Sequence, residues 1–190
     1  RVPEFTVLHV APKLKNFKLA VKYPIVVKPS DRGSSVGVSI VEHFGDLIPA
    51  IQGASEYSPN VMIQKYILGR EFTCGVLEIH GGPRALPPTE IVPRSSRLFD
   101  YHSKYTSGAS QEITPPNVSK SVIRKIQRIA LVAHRAIGAR GFSRTDMILE
   151  CNPNNPNSIR MSRIRSKLYV LEINTIPGMT ETSLLPQQAK

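Results

Sequence analysis

The chain has 190 residues, of which 41% are hydrophobic and 21% charged, values that are ordinary for a folded globular protein. It contains no apolar run long enough to cross a bilayer and no secretory signal pattern, so we expect no membrane partner. The formal net charge of +11 permits a nucleic-acid partner, but aromatic residues make up only 6% and do not alternate with Lys and Arg. We therefore expect no nucleic-acid partner.

The chain has two cysteines, and their spacing is not that of a metal site. This favours reduced thiols in a cytoplasmic protein.

Six short segments rich in β-branched and aromatic residues predict strands. They lie at 5–8, 25–29, 61–67, 71–77, 142–149 and 168–173. Helical spacing of apolar residues predicts a short helix within 44–56 and a longer one over 119–139 with its N-cap at Ser119. The apolar stripe predicted for the longer helix is Val122, Ile126, Ile129, Ala133 and Ile137.

A loop of two glycines and two serines, Gly33-Ser34-Ser35-Val36-Gly37, follows the strand that ends in Lys28-Pro29. Its backbone and hydroxyl donors can cradle phosphate oxygens, and a Lys at a strand exit can meet phosphate as a point charge. The loop lacks the Walker pattern, because no Gly-Lys-Ser/Thr opens a helix. A plain turn and a solvated strand end are the alternatives.

The strand at 61–67 and the one beginning at Glu71 suit a nucleoside. The backbone of Lys65, Tyr66 and Ile67 can bind an adenine edge, and Glu71 can accept a hydrogen bond from ribose hydroxyls. By itself, Glu71 would be an exposed strand residue.

Residues 94–112 are polar and irregular, with Lys104 and Tyr105 near the centre. Long loops inside compact domains are commonly functional, and aromatic and Lys side chains suit a lid that excludes water. A disordered surface loop is the alternative. A second long polar connection, 152–167, carries four basic residues and has no function that we can assign.

Polar side chains interrupt the last two predicted strands. Arg144 and Asp146 lie two residues apart on one strand, and Glu172 and Asn174 lie two apart on the next. Residues two apart in a strand share a face, so Asp146, Glu172 and Asn174 converge if these strands pair. Two carboxylates and an amide oxygen are hard ligands suited to Mg²⁺ or Mn²⁺, and Arg144 beside them suits an anion. Two half-exposed strands with polar outer faces are the alternative.

These motifs in this order resemble the ATP-grasp ligases, and among them the family of bacterial D-alanine–D-alanine ligases. The resemblance rests on Val27-Lys28-Pro29 with Gly33–Gly37, Gly69-Arg70-Glu71-Phe72, Asp100-Tyr101 with Lys104-Tyr105, Gly141-Phe-Ser-Arg144-Thr-Asp146, and Glu172-Ile-Asn174-Thr-Ile-Pro177-Gly178-Met-Thr with Ser183-Leu184. It implies an α+β ATP-grasp fold, in which two lobes with antiparallel sheets clasp the nucleotide. The lobes would be residues 1–68, including a linking segment over 1–22, and residues 69–190. A domain that lies upstream in the family would be absent from this chain.

The resemblance also implies roles for individual residues. The ATP-binding set would be Lys28, Ser34, Ser35, Gln64, Lys65, Tyr66, Ile67, Glu71 and Lys104. Two Mg²⁺ or Mn²⁺ ions would lie on Asp146, Glu172 and Asn174. Catalytic roles would fall to Arg144, Gly178, Ser34 and Tyr105, and the substrate would contact Arg144, Gly178, Ser183 and Leu184.

The implied chemistry is ATP-dependent joining of two D-alanines through an acyl phosphate for peptidoglycan synthesis, by a protein that can form homodimers at full length. The family usually has Glu where this chain has Gln64. Because the upstream domain would supply a phosphate-binding Lys and the pocket for one amine, we expect Mg·ATP binding with little turnover by this chain alone. One alternative is another ATP-grasp ligase, including one that uses D-lactate. A basic nucleic-acid-binding module is a second alternative with less support.

Overall fold

A computed structural model of the protein describes residues 1–9, 21–33, 35–93, 110–151 and 167–190. Contacts divide the chain into two compact units, which we call the N-terminal and the C-terminal unit. The N-terminal unit includes Pro3–Ile67, and the C-terminal unit comprises Arg1–Val2, Leu68–Val92 and Gln111–Lys190. The predicted lobes, 1–68 and 69–190, remain a proposal.

The N-terminal unit is built on a four-stranded sheet of order β1-β4-β2-β3. Its strands are β1 (Phe5–His9), β2 (Ile25–Pro29), β3 (Ser39–Val41) and β4 (Asn60–Lys65). A 3₁₀ turn at Phe44–Asp46 leads into α1 (Leu47–Ser55). Helix α1 packs on the sheet over a buried apolar core that includes Ile25, Val27, Ile51, Val61 and Ile63. These are the apolar segments from which the strands and the helix were predicted.

The C-terminal unit is built on a six-stranded sheet whose main path is β10-β9-β5-β7-β8, with β6 paired to β5. Its strands are β5 (Gly69–Ile79), β6 (Gly82–Ala85), β7 (Thr89–Pro93), β8 (Ser110–Ile113), β9 (Phe142–Glu150) and β10 (Leu168–Asn174). Its helices are α2 (Lys120–Ala136) and α3 (Leu184–Ala189). Every pairing whose register the described residues define is antiparallel. The predicted α+β class with antiparallel sheets is confirmed.

Helix α2 differs from its prediction in which residues it buries. The buried positions are Val122, Ile126, Ala130 and His134, each four residues apart, whereas Ile137 is 49% exposed. Ser119 is the N-cap residue, but its hydroxyl makes no capping bond and instead lies 2.8 Å from the Ser121 hydroxyl. Residues four apart do not lie directly above one another in a helix with 3.6 residues per turn. The buried stripe therefore winds around the helix axis and leaves Ala133 and Ile137 to one side.

The buried face of α2 covers one face of the large sheet. Phe72, Cys74, Val76, Met147 and Leu149 are buried there. Because side chains alternate along a strand, the residues between them point to the opposite face. That opposite face carries the polar residues of the candidate site. In the part of the chain that the structure describes, no helix combines the length and apolar character needed to cross a membrane.

Candidate functional site

The register of β9 and β10 places four polar residues on one face of the large sheet. Glu172 lies opposite Asp146, and Asn174 lies opposite Arg144. Directly opposed residues of an antiparallel pair share a face. Arg144, Asp146, Glu172 and Asn174 therefore project together, as the strand spacing predicted.

A β-bulge is the reason that these residues share a face. Val170 is paired with Met147, and the next pair is Glu172 with Asp146, so Leu171 is the extra residue. A regular ladder would instead place Leu171 opposite Asp146 and turn Glu172 and Asn174 toward the apolar face. Bulges often re-aim side chains next to functional sites. The polar residues could be found from sequence, but the bulge could not.

Asp146 is held by three side chains and is 8% exposed. Arg144 donates from Nε to Asp146 Oδ1 at 2.9 Å and from Nη2 to Oδ2 at 2.8 Å. Thr73 Oγ1 donates to Oδ1 at 2.8 Å from the neighbouring strand β5. A carboxylate with this many donors is fixed in orientation. Thr73 was missed because a Thr inside an apolar strand carries no functional signal in sequence.

The Asn174 amide lies between the two carboxylates. Its Nδ2 donates to Glu172 Oε1 at 3.1 Å and to Asp146 Oδ2 at 3.3 Å. The amide therefore provides positive partial charge where two carboxylates would otherwise repel each other. Turning the amide by 180° would direct its oxygen toward the same position and complete a set of three oxygen ligands. This arrangement fits Mg²⁺ or Mn²⁺, which prefer oxygen donors.

In the described part of the chain, Asp146 and Glu172 are not joined by a third acidic, His or Cys side chain that could also bind a metal. Among the described residues, no three His, Cys, Asp or Glu side chains come together in a way that could hold a metal. A cation at Asp146 and Glu172 would therefore depend on Asn174 and on ligands from the substrate. Mg²⁺ commonly binds through one or two carboxylates together with substrate phosphates.

Glu71 lies on the same face of the large sheet as Asp146. It pairs with Ile148 of β9, two residues beyond Asp146, and it is half-buried. Thr73, which lies opposite Asp146, is two residues from Glu71 on β5. The predicted ribose ligand is therefore next to the predicted metal ligand Asp146 on this face of the sheet.

The segment after β10 carries the predicted substrate contacts Gly178, Ser183 and Leu184. Gly178 is exposed and approaches Ser183 so closely that a Cβ on Gly178 would lie 2.7 Å from Ser183 Oγ. The Thr180 amide donates to Ser183 Oγ at 3.1 Å, and the Ser183 amide donates to the Thr180 carbonyl at 2.9 Å. Ser183 immediately precedes α3, and Leu184 is half-buried. These bonds join Thr180 to Ser183 in the segment that also carries Gly178.

The predicted phosphate-binding residues lie in the N-terminal unit. Lys28 is a half-buried residue of β2, and it also interacts within the protein. Ser35 follows in the loop with φ 59°, a left-handed conformation that is uncommon for a residue with a side chain. Such local strain concentrates at binding loops. The loop is a hairpin connection, since β2 and β3 pair antiparallel.

The predicted adenine-binding residues form the end of β4 and the residues after it. Gln64 is 6% exposed, Lys65 is exposed and Ile67 is 5% exposed. The Lys65 amide donates to the Glu4 carbonyl at 2.8 Å, and the Tyr66 amide donates to the Pro24 carbonyl at 3.2 Å. These two N–H groups are therefore engaged within the unit.

Three predicted site residues, Ser34, Lys104 and Tyr105, lie outside the described residues, as does nearly all of the basic connection at 152–167. The roles assigned to all site residues remain predictions. The structure gives the arrangement of those site residues that it describes.

Comparison with known proteins identifies a family. The D-ala D-ala ligase C-terminus family matches residues 6–190. The chain is 44% identical over 172 residues to the D-alanine–D-alanine ligase of Rhizobium meliloti (strain 1021), covering 90% of this chain and 52% of that protein. It is 37% identical over 191 residues to the corresponding ligase of Halalkalibacterium halodurans, covering 100% of this chain and 58% of that protein.

Solved structures show the same likeness. The D-Ala:D-Ser ligase VanG of Enterococcus faecalis has a TM-score of 0.75 at 29% identity, over 98% of this chain and 51% of that one. The D-alanine–D-alanine ligase of Bacillus anthracis in complex with ATP has a TM-score of 0.71 at 26% identity, over 99% of this chain and 54% of that one. The chain spans about half the length of the curated relatives it matches.

Proposed function

Because this chain belongs to the D-ala D-ala ligase C-terminus family, we propose that it is the ATP- and metal-binding part of a D-alanine–D-alanine ligase. Such an enzyme joins two D-alanines at the expense of ATP and supplies D-alanyl-D-alanine for peptidoglycan in the cytoplasm. The observation that carries the proposal is the convergence of Asp146, Glu172 and Asn174 on one sheet face in a chain of this family.

Asp146, Glu172 and Asn174 would hold two Mg²⁺ or Mn²⁺ ions, as their donor atoms fit these cations. When bound, the ions would neutralise charge on the ATP phosphates, which is the main requirement of phosphoryl transfer. Thr73 and Arg144 would keep Asp146 oriented toward them.

We assign further ATP contacts to residues of each unit separately. Lys28 and the loop with Ser34 and Ser35 would bind the phosphates, and Glu71 would accept from the ribose. We assign adenine recognition to Gln64 and to the backbone of 65–67. Since the Lys65 and Tyr66 amides donate to backbone carbonyls, the Ile67 amide is the donor that we assign to adenine.

The reaction would proceed in two steps. The carboxylate of one D-alanine attacks the γ-phosphorus of ATP, which releases ADP and gives an acyl phosphate. The amine of the second D-alanine then attacks the acyl carbon and displaces phosphate. Arg144 and the Gly178 amide would stabilise the negative charge that develops on the acyl oxygen. Ser183 and Leu184 would bind the carboxylate of the second D-alanine, and Lys104 and Tyr105 would close over the site and exclude water.

Membership of this family is compatible with more than one second substrate. One solved relative is a D-Ala:D-Ser ligase, and D-lactate is a further acceptor to consider. We propose D-alanine because the relatives from Rhizobium meliloti and Halalkalibacterium halodurans carry that substrate in their names.

The test is phosphate release from Mg·ATP with D-alanine, D-serine or D-lactate as acceptor. It should use a protein that carries this chain behind the N-terminal half found in its relatives. The proposal predicts D-alanine-dependent release and D-alanyl-D-alanine as product. Thermal stabilisation by DNA but not by Mg·ATP would instead support a nucleic-acid-binding module.

A further inference from the structure

Strand β5 changes its neighbour along one edge. Glu71, Phe72 and Thr73 pair with β7, and the residues from Val76 onward pair with β6. Between these ladders, the Gly75 carbonyl accepts a hydrogen bond from the Leu86 amide at 2.9 Å. The remaining backbone groups at this point are buried and need partners, because an unpaired buried backbone group costs free energy.

The side chain of Gln188 supplies those partners. Its Oε1 accepts from the Gly75 amide at 2.7 Å, and its Nε2 donates to the Thr73 carbonyl at 3.1 Å. The same Nε2 donates to Thr89 Oγ1 at 2.9 Å. Gln188 is 3% exposed, so one side-chain amide completes the edge of β5 inside the protein.

Gly75 makes room for this contact. A Cβ at Gly75 would lie 2.8 Å from Gln188 Oε1 and would overlap Leu185. Leu185 is 2% exposed, so Leu185 and Gln188 are the two residues by which α3 is buried against the sheet.

The Gln188 amide connects two parts of the proposed site. Helix α3 has only six residues and begins directly after Ser183, so its attachment fixes the segment 178–184. At the other end, Thr73 receives the Gln188 bond on its carbonyl and donates from its hydroxyl to Asp146 Oδ1 at 2.8 Å. The chain of contacts therefore runs from the substrate segment to the metal carboxylate.

We infer that Gln188 is a positioning residue that fixes the segment 178–184, and with it the carboxylate of the second amino acid, relative to Asp146. The inference rests on the proposed function for the identity of the substrate. It assigns no contact between Gln188 and any substrate.

The first experiment measures amide hydrogen exchange in this chain and does not depend on turnover. Gln188→Met removes all three hydrogen bonds at similar side-chain length. We expect the protection of the Ser183 and Gln187 amides to fall about tenfold or more, while β9 and β10 keep theirs. The control is Gln127→Met, which removes the bond that this α2 side chain donates to the Leu86 carbonyl and leaves α3 untouched. Unchanged protection at Ser183 and Gln187 would overturn the inference.

A second variant separates hydrogen-bond donation from packing. Gln188→Glu keeps the shape and the acceptor, but its ionised carboxylate cannot donate to Thr73 or Thr89. Protonation restores one donor. The protection factors of the variant should therefore rise toward those of the original protein as the pH falls. Equal protection factors in the variant and the original protein at every pH would contradict a role for the donated bonds.

The third measurement distinguishes failure of the inference from failure of the proposed function. In phosphate-release assays on the longer protein, Gln188→Met should raise the D-alanine concentration for half-maximal rate about tenfold and leave that for Mg·ATP unchanged. No D-alanine-dependent release by the unaltered protein would refute the proposed function, and the exchange data would still decide the positioning role. Equal changes in both half-saturation values would overturn the inference.

Discussion

Glu172 lies directly opposite Asp146 in the antiparallel ladder of β9 and β10, and it does so because Leu171 is an extra residue in β10. Without that bulge, the ladder would place Thr145 opposite Glu172 and direct the carboxylate toward the apolar face. One inserted residue thus decides whether the Glu172 carboxylate lies on the polar face beside Asp146.

The Lys28 ammonium is assigned to the ATP phosphates. Lys28→Ala should weaken ATP binding by about 1.5–3 kcal/mol, the value of a charge-assisted hydrogen bond, while the fold stays intact. Lys22→Ala, at an exposed position beside β2, controls for the loss of one positive charge. Calorimetric titration with Mg·ATP measures both variants. Equal affinities for the two variants would remove Lys28 from the phosphate site.

Two glycines should respond to alanine in opposite directions. Gly75→Ala introduces a Cβ that overlaps Leu185 and Gln188 and should destabilise the protein by about 1–3 kcal/mol. Gly53 lies inside α1 with open space where the added methyl group would lie, so Gly53→Ala should stabilise by about 0.5–1 kcal/mol. Urea denaturation of both variants gives the comparison. A neutral effect at Gly75 would mean that α3 is not packed tightly on β5.

Glu78 should make stability depend on pH. The Gly141 amide donates to its Oε2 at 2.7 Å and is the main cause that lowers the pKa of this carboxyl, with His134 and Arg140 contributing. A folded-state pKa below the unfolded value stabilises the fold above the unfolded pKa, and this is lost as pH falls through the folded pKa. Glu78→Gln should therefore lower Tm at about pH 7 and lower it less at about pH 3.

The same substitution at exposed Glu56 controls for the removal of a negative charge. Thermal unfolding followed by circular dichroism at both pH values gives the four Tm differences. A Tm difference for Glu78→Gln that is the same at both pH values would show that the Gly141 bond does not favour the ionised carboxyl.

Much of the fold could be predicted from sequence, because apolar segments such as Ile25–Pro29 and Phe142–Glu150 carry a local signal for buried strands. The spacing predicted that Arg144 and Asp146 share one face of their strand and that Glu172 and Asn174 share one face of theirs. The bulge at Leu171, which brings Glu172 opposite Asp146, could not be predicted, since a bulge depends on the partner strand. His134 and Gln188 were missed for a similar reason. Polar residues are expected at the surface, and only the tertiary contacts with Ser143 and with Gly75 show why these two are buried.

The central claim is that Asp146, Glu172 and Asn174 bind the cation that accompanies ATP. The most direct measurement is calorimetric titration of the chain with ATP, in the presence and absence of Mg²⁺, for the original protein and for Asp146→Asn. Asp46→Asn, at an exposed position before α1, is the matched control. We expect Mg²⁺ to strengthen ATP binding to the original protein and to the control, and this gain to fall about tenfold or more in Asp146→Asn. The same gain from Mg²⁺ in all three proteins would contradict the assignment of the metal to this site.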